Sequence, residues 1–288
     1  MAPTTLPGGT WTLGDLTVTR FGYGAMQLAG PWVMGPPADH DGALAVLREA
    51  VALGITHIDT SAAYGPHVTN RLIREALHPY PESLHVVTKV GADRDQQGGW
   101  PTARDPESLR RQIRENLETL GVQTLDLVNL RLGDAEGPKP GSLAEALETL
   151  VALQQEGVIR HLGLSNVTRE QVAEAQTVAP IVCVQNQYNL AHRGDDDLID
   201  DLASQGVAYV PFFPLGGFTP LQSSALSAVA ERLGATPMGV ALAWLLRRSP
   251  NILLIPGTKS VAHLRENVAG AGLSLSGDDL AELDRIGR

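Results

Sequence analysis

Short apolar runs recur along the chain at 21–28, 55–60, 85–90, 125–131, 159–164, 181–187, 207–213 and 252–256. Amphipathic stretches separate them, among them "GALAVLREAVALG", "SLRRQIRENLETLG" and "SLAEALETLVALQQEG". In the second of these, Leu109, Ile113, Leu117 and Leu120 share one face of a 3.6-residue helix. Gly54, Gly121, Gly157 and Gly206 stand where such helices should stop. Eight strands in strict alternation with about eight helices imply parallel strands joined by crossover helices. Eight such units in fewer than 300 residues predict an α/β fold of the (β/α)₈ TIM-barrel type. Ahead of them, "TWTL" and "GDLTVTR" meet across a Gly-Asp pair and predict a short N-terminal β-hairpin. An open doubly wound sheet is the rival. Against it, "GYGAMQ" lacks the third glycine of a dinucleotide-binding turn. No linker or low-complexity segment interrupts the chain, so residues 1–288 are expected to form one barrel domain.

Composition narrows the field of partners. A formal net charge of −10 argues against nucleic acid, because phosphate binding needs basic patches. The one cysteine, Cys183, lies in the apolar run "IVCV" and suits a core position. The lack of cysteine pairs fits a reducing compartment. "MAPTTLPGGTW" carries no basic and apolar leader pattern, and no run approaches the roughly 20 apolar residues of a membrane span. A soluble, cytoplasmic protein without membrane contacts is expected. The acidic runs at 193–197 and 277–279 suit the first turns of helices. The histidines and acids at the strand ends form no plausible ligand set, so no metal is expected.

In such a barrel the active site lies at the carboxyl ends of the strands. The second run ends at Asp59, with Tyr64 in the loop beyond it, and "HVVTKV" carries Lys89 near its end. A lysine in a parallel strand is buried on both faces and needs a carboxylate partner, which Asp59 on the adjacent strand can supply. A cation beside a tyrosine stabilises the phenolate, and such a phenol can donate a proton to a developing alkoxide. A structural ion pair with an incidental tyrosine is the plainer alternative. "LVNLRLG" places Asn129 and Arg131 on one face of the fourth strand. His57 reads as a packed, hydrogen-bonded core histidine.

With these residues in place, a resemblance is visible over the whole chain. "HIDTSAAYG", "VVTKVG", "GLSN", "QNQYN" and "IPGT…EN" occur in the order and spacing of the aldo-keto reductases. The resemblance implies Asp59, Tyr64 and Lys89 as three members of a catalytic tetrad, with Tyr64 the proton donor. The family's fourth member is a histidine at the end of the fourth strand, where this chain has Arg131. An arginine stays charged and cannot relay protons, but it can hydrogen-bond a carbonyl oxygen or orient an anionic group. "GYGAMQLAGP", "YGPHVTN", "LVNLR", "VPFFPLGGFTPLQSS" and "VAHLREN" are closer to the pyridoxal reductase branch, and that branch implies reduction of a small aldehyde such as pyridoxal.

The resemblance also implies NADPH as cofactor. Met26, Asp59, Ser165, Asn166 and Gln185 would surround its nicotinamide, with Phe212 stacked on the ring. Pro214, Leu215 and Gly217 would follow the pyrophosphate. Thr258, Lys259 and His263 would meet the adenosine 2′-phosphate, with Glu266 and Asn267 nearer the adenine. His263 stands where many relatives have an arginine. The substrate pocket would include Trp32, Tyr64, His67, Trp100 and Arg131; for the two tryptophans and His67, ordinary loop packing is the alternative. A monomer is expected. The function of a different class that the sequence admits is a nicotinamide-binding regulatory or sensor protein with weak reductase activity.

Overall fold

The computed structural model describes residues 5–134, 137–217 and 221–287. The chain opens with the expected hairpin, β1 (Thr10–Leu13) and β2 (Leu16–Thr19), antiparallel about Gly14 and Asp15. Among the described residues seven parallel strands follow in sequence order: β3 (Tyr23–Gly24), β4 (His57–Asp59), β5 (His85–Val90), β6 (Leu125–Arg131), β7 (Ile159–Ser165), β8 (Ile181–Gln185) and β9 (Ala208–Tyr209). The eighth position belongs to 252–255, which bridges the two edges through Tyr209↔Ile252 and Phe21↔Leu254. The Leu254 amide donates to Arg20 O at 2.7 Å, and Leu254 O accepts from the Gly22 amide at 2.8 Å. The sheet thus closes into a barrel. Closure is tight at Gly24, where a Cβ would stand 2.4 Å from Ile255 O.

Two apolar runs form less ladder than their length suggests. Of 21–28 only Tyr23–Gly24 pairs as a strand, and Met26–Leu28 turns into a 3₁₀ helix over the barrel mouth. Of 207–213 only Ala208–Tyr209 pairs continuously. Apolar sequence reports burial, and most of both runs is buried; ladder pairing also needs a neighbour at the right height.

Among the described residues ten α-helices wrap the sheet, rather than about eight. They are α1 (His40–Ala52), α2 (Val68–Leu77), α3 (Pro106–Leu120), α4 (Ala144–Gln155), α5 (Arg169–Val178), α6 (Asp196–Ser204), α7 (Ser224–Leu233), α8 (Pro237–Arg248), α9 (Val261–Ala271) and α10 (Gly277–Leu283). The additions come from the split of α7 from α8 and from α10. Gly234 ends α7 at φ 61°, and Thr236 with Pro237 starts α8, so the break is local. The acids of 193–197 and 277–279 do fall in the first turns of α6 and α10. Among the described residues no helix is long and apolar enough to cross a membrane.

The core has layers that explain where the site lies. The largest cluster fills the space between strands and helices, with Phe21, Ile58, Val128 and Leu162 facing Leu47, Ile73, Ile113 and Leu150. A second cluster occupies the barrel itself: Val87, Leu127, Cys183, Ala208 and Leu253 meet Leu13, Leu16 and Val18 of the hairpin. The hairpin therefore stoppers the amino-terminal end of the barrel, and the carboxyl end is left for chemistry. A third, small cluster lies at that mouth: Ala29, Val33 and Tyr64, with Met26 packed against them.

Candidate active site

Lys89, near the end of β5, points into the mouth and is nearly fully buried. Its Nζ donates to Asp59 Oδ1 at 2.5 Å and to Thr60 O at 3.1 Å. Burial alone would lower the ammonium's pKa; the charge of Asp59 outweighs it and holds Lys89 above the ordinary lysine value. Asp59 ends β4, one strand over, and its second oxygen accepts from Gln185 Nε2 at 2.9 Å. Both carboxylate oxygens are thus engaged, which a buried ion pair requires if it is to hold its geometry.

Tyr64 reaches this pair because the loop after β4 turns sharply. Its amide donates to Ser61 O at 3.0 Å, Gly65 follows at φ 72°, and His67 at φ 66° opens α2. Only glycine serves at 65: a Cβ there would stand 2.8 Å from the Val68 Cβ and 2.9 Å from Gly35 O. Lys89 Nζ lies 5.3 Å from the Tyr64 ring centroid. Trp100 meets the ring edge-on at 6.1 Å.

Arg131, the last residue of β6, is electrostatically coupled to the same phenol. Its Cζ is 5.8 Å from the Phe212 ring, and its Nη2 donates to Asp134 O over a long 3.4 Å. Burial pulls the guanidinium below its ordinary value, while Tyr64 and Asp134 act to keep the charge. Asn129, two residues earlier, lies deeper; its Oδ1 accepts from the Cys183 thiol at 3.1 Å and its Nδ2 has no partner. Cys183 is a core residue, its thiol pushed up by burial. His57 is packed, as expected, but its Nδ1 finds no hydrogen bond; burial lowers its pKa to about 4 and leaves it neutral.

Register carries the mouth onward. Arg131 pairs with Ser165, and Ser165 with Gln185. Ser165, Asn166 and Gln185 are all buried, yet Ser165 Oγ, Asn166 Oδ1 and Gln185 Oε1 lack partners. Buried polar atoms without partners are costly and rare. Three at adjacent strand ends make a cradle for a ligand group that both donates and accepts, such as an amide. Half-buried Phe212 stands by this row, and Pro214 to Gly217 turn away from it through Gly216 at φ 94° and Gly217 at φ 72°. At the next strand end Thr258 is buried, its Oγ1 accepting from the Ser260 amide. Ser260 caps α9; Lys259, His263 and Glu266 are exposed around that helix start, and Asn267 is buried. Phe218, Thr219 and Pro220 of the motif at 210–224 lie outside the described residues.

The two tryptophans fare differently. Trp100 packs against Tyr64, whereas the Trp32 side chain is 82% exposed at a backbone φ of 59°. His67 lines a cavity of about 190 Å³ with Ser61, Lys89, Arg94, Gln112 and Asn116, and its Nδ1 has no partner. Sequence reasoning missed Arg94. Its guanidinium donates to Trp32 O and Gly98 O and stacks 4.1 Å from the Trp100 ring. One arginine thus ties the loop after β3 to the loop after β5, above Tyr64. An arginine in a polar loop has no periodicity to mark it. Among the described residues no three His, Cys, Asp or Glu side chains converge on a metal-sized site.

Comparison with known proteins follows the same lines. The family model described as "Aldo/keto reductase family" matches residues 20–288. Pyridoxine 4-dehydrogenase of Escherichia coli K12 is 61% identical over 285 residues, covering 98% of this chain and 100% of that protein. A thermostable aldo-keto reductase, Tm1743, solved with the inhibitor epalrestat, superposes with a TM-score of 0.81 at 30% identity, covering 96% of this chain and 98% of that one. An aldo/keto reductase from Klebsiella pneumoniae, solved with NADP and acetate, superposes at 0.78 with 26% identity, covering 96% and 94%.

Proposed function

This chain belongs to the aldo/keto reductase family, and from that premise we propose that it reduces a small aldehyde to the alcohol with NADPH, pyridoxal to pyridoxine being the leading reaction. The buried Asp59–Lys89 pair against Tyr64 carries this reading. Tyr64 donates the proton to the carbonyl oxygen. Lys89 stabilises the phenolate left behind, and Asp59 holds the ammonium charged and aimed. When bound, the reduced nicotinamide supplies the hydride to the carbonyl carbon, so aldehyde, NADPH and a proton become alcohol and NADP⁺. Solvent then reprotonates Tyr64. Ser165, Asn166 and Gln185 suit the carboxamide, because their partnerless atoms match its donor and acceptor ends. Phe212 offers a ring face, and Met26 and Asp59 border the same space. Pro214, Leu215 and Gly217 line the path of the pyrophosphate, and the start of α9 suits an anion. There Thr258, Lys259 and His263 would meet the 2′-phosphate, with Glu266 and Asn267 beside the adenine. Trp100, His67, Trp32 and Arg131 frame the substrate side.

The name of the Escherichia coli relative and the aldehyde chemistry of the family support pyridoxal as substrate. Arg131 in place of the family's histidine is the observation that keeps a regulatory, weakly catalytic role in view. A panel of aldehydes with NADPH and NADH, followed by the absorbance of the reduced nicotinamide, tests both. The expected result is pyridoxal reduction with NADPH. Tight NADPH binding without turnover on any aldehyde would favour the regulatory role instead.

A further inference from the structure

Arg131 combines three features that the reduction of a plain aldehyde does not require. First, it is a charge without an ion-pair partner. Among the described residues no carboxylate lies within 4.0 Å of it, and the nearby Asp134 carboxylate faces Lys139 at 3.6 Å. A guanidinium has five N–H donors; the Arg131 hydrogen bond seen here is one long contact to a backbone oxygen. Second, it is half-buried, where an unpaired charge loses part of its hydration. Third, it stands over an aromatic face at the barrel mouth. The phenol of Tyr64 is within its electrostatic reach, and the ring of Phe212 lies 5.8 Å beneath it. Other cations of the region are engaged: Lys89 by Asp59, Arg94 by loop carbonyls and Trp100, Arg111 by Asp93 and Glu115.

We propose that Arg131 sets substrate specificity by binding an ionised hydroxyl ortho to the aldehyde, while Tyr64 addresses the neighbouring carbonyl oxygen. The substrate class is the aromatic ortho-hydroxy aldehyde. The two oxygens of such a ring are about one hydrogen-bond length apart, so adjacent donors can take one each. Aromatic walls at Tyr64, Trp100 and Phe212 suit a flat ring. The charge also answers a chemical problem. An ortho phenolate pushes electron density into the aldehyde and makes its carbon a poor hydride acceptor. A fixed guanidinium on the phenolate oxygen draws that density back, and it does so without moving a proton. A neutral imidazole at the same strand end does this less well.

This inference rests on Tyr64 acting on a carbonyl oxygen, and the experiment separates the two. Specificity constants for salicylaldehyde and benzaldehyde, which differ by the one hydroxyl, are measured for the wild type, Arg131→Met and Arg131→Lys. In Arg131→Met the salicylaldehyde-to-benzaldehyde ratio should fall by about tenfold to a hundredfold, the span of a lost charge-assisted hydrogen bond. Arg131→Lys should restore part of it. An equal fall for both aldehydes, or no fall for either, overturns the proposal. A second readout needs no turnover. 2-Nitrophenol carries an ortho oxygen in place of the aldehyde and turns yellow as its phenolate. With the NADP⁺-loaded wild type it should bind as the phenolate at a pH where the free compound is largely neutral, and with Arg131→Met it should not; no difference overturns the proposal. If pyridoxal is inert while salicylaldehyde is reduced, the substrate assignment fails and Arg131 is still judged by the ratio. If no aldehyde is reduced, the reductase reading fails and the nitrophenol titration still judges Arg131.

Discussion

Ala29, Val33 and half-buried Met26 hold the body of Tyr64, and Trp100 meets its ring edge-on, so the ring's packing does not depend on the hydroxyl. Tyr64→Phe should therefore fold normally and keep its affinity for NADPH, measured by quenching of protein fluorescence. Its kcat for aldehyde reduction should fall by about 10²–10⁴-fold, the usual value of general acid catalysis. Turnover near wild type would remove Tyr64 from the role. Lys259 is exposed beside the start of α9. Lys259→Ala should weaken NADPH by about 1 kcal/mol, the lower end for a charge-assisted bond in solvent, and leave NADH nearly unchanged. Equal losses for both coenzymes, read by titration, would place Lys259 away from the 2′-phosphate. Asp59 and Lys89 could be singled out in the sequence because charge at the end of a buried strand is anomalous. Arg94 could not, since its importance lies in touching Trp32 O and Trp100, neither of which is near it in a periodic pattern.

Helix α3 shows what short sequence spans can specify. Asp105 accepts the Ser108 amide, Pro106 occupies the first turn, and Leu109, Ile113 and Leu120 form the buried face. Gly121 ends the helix at φ 72°, a conformation that costs other L-residues about 1–2 kcal/mol. Gly121→Ala should thus lower the free energy of unfolding by about 1 kcal/mol or somewhat more, since a Cβ would also press on the Arg74 side chain. Denaturant unfolding checks this; an unchanged midpoint would mean the helix end relaxes freely. Gly54, Gly157 and Gly206 likewise sit at positive φ just past α1, α4 and α6, where the pattern put the helix stops. Strand extent was less legible. The segment 252–256 holds its place through single bridges to residues more than 40 positions away in the chain, and no local pattern encodes those partners.

The hairpin couples one end of the barrel to the rest of the molecule. Asp15, at its turn, accepts from Arg160 Nη2 and from His161 Nε2, both at 2.5 Å on β7. The Arg160 and His161 hydrogen bonds hold its carboxyl at about 2, below its ordinary 3.8. A carboxylate with a depressed folded value stabilises the fold fully above its unfolded value and loses that contribution as pH falls through the folded one. The latch should therefore loosen between about pH 4 and pH 2, first at the hairpin. Acid titration of the Trp11 fluorescence should show a step in this window, and Asp15→Asn should abolish it while leaving the mouth of the barrel intact. A step of the same size in the variant would assign the transition to another carboxylate.

The sequence by itself determined the alternation of strands and helices, the helix stops, the hairpin and the strand ends that carry Asp59, Lys89 and Arg131. These follow from hydrophobic period, turn chemistry and the oddity of a charge in a buried strand, all of which are local. The tertiary structure decided which groups share the mouth. It brought Tyr64 onto Lys89 through a glycine turn, set Gln185 on the free oxygen of Asp59, tied the loops of Trp32 and Trp100 with Arg94, and left Arg131 with no carboxylate within 4.0 Å among the described residues. Such pairings depend on barrel register and loop path, which join residues from tens to more than a hundred positions apart. Only the closed sheet places them at one height.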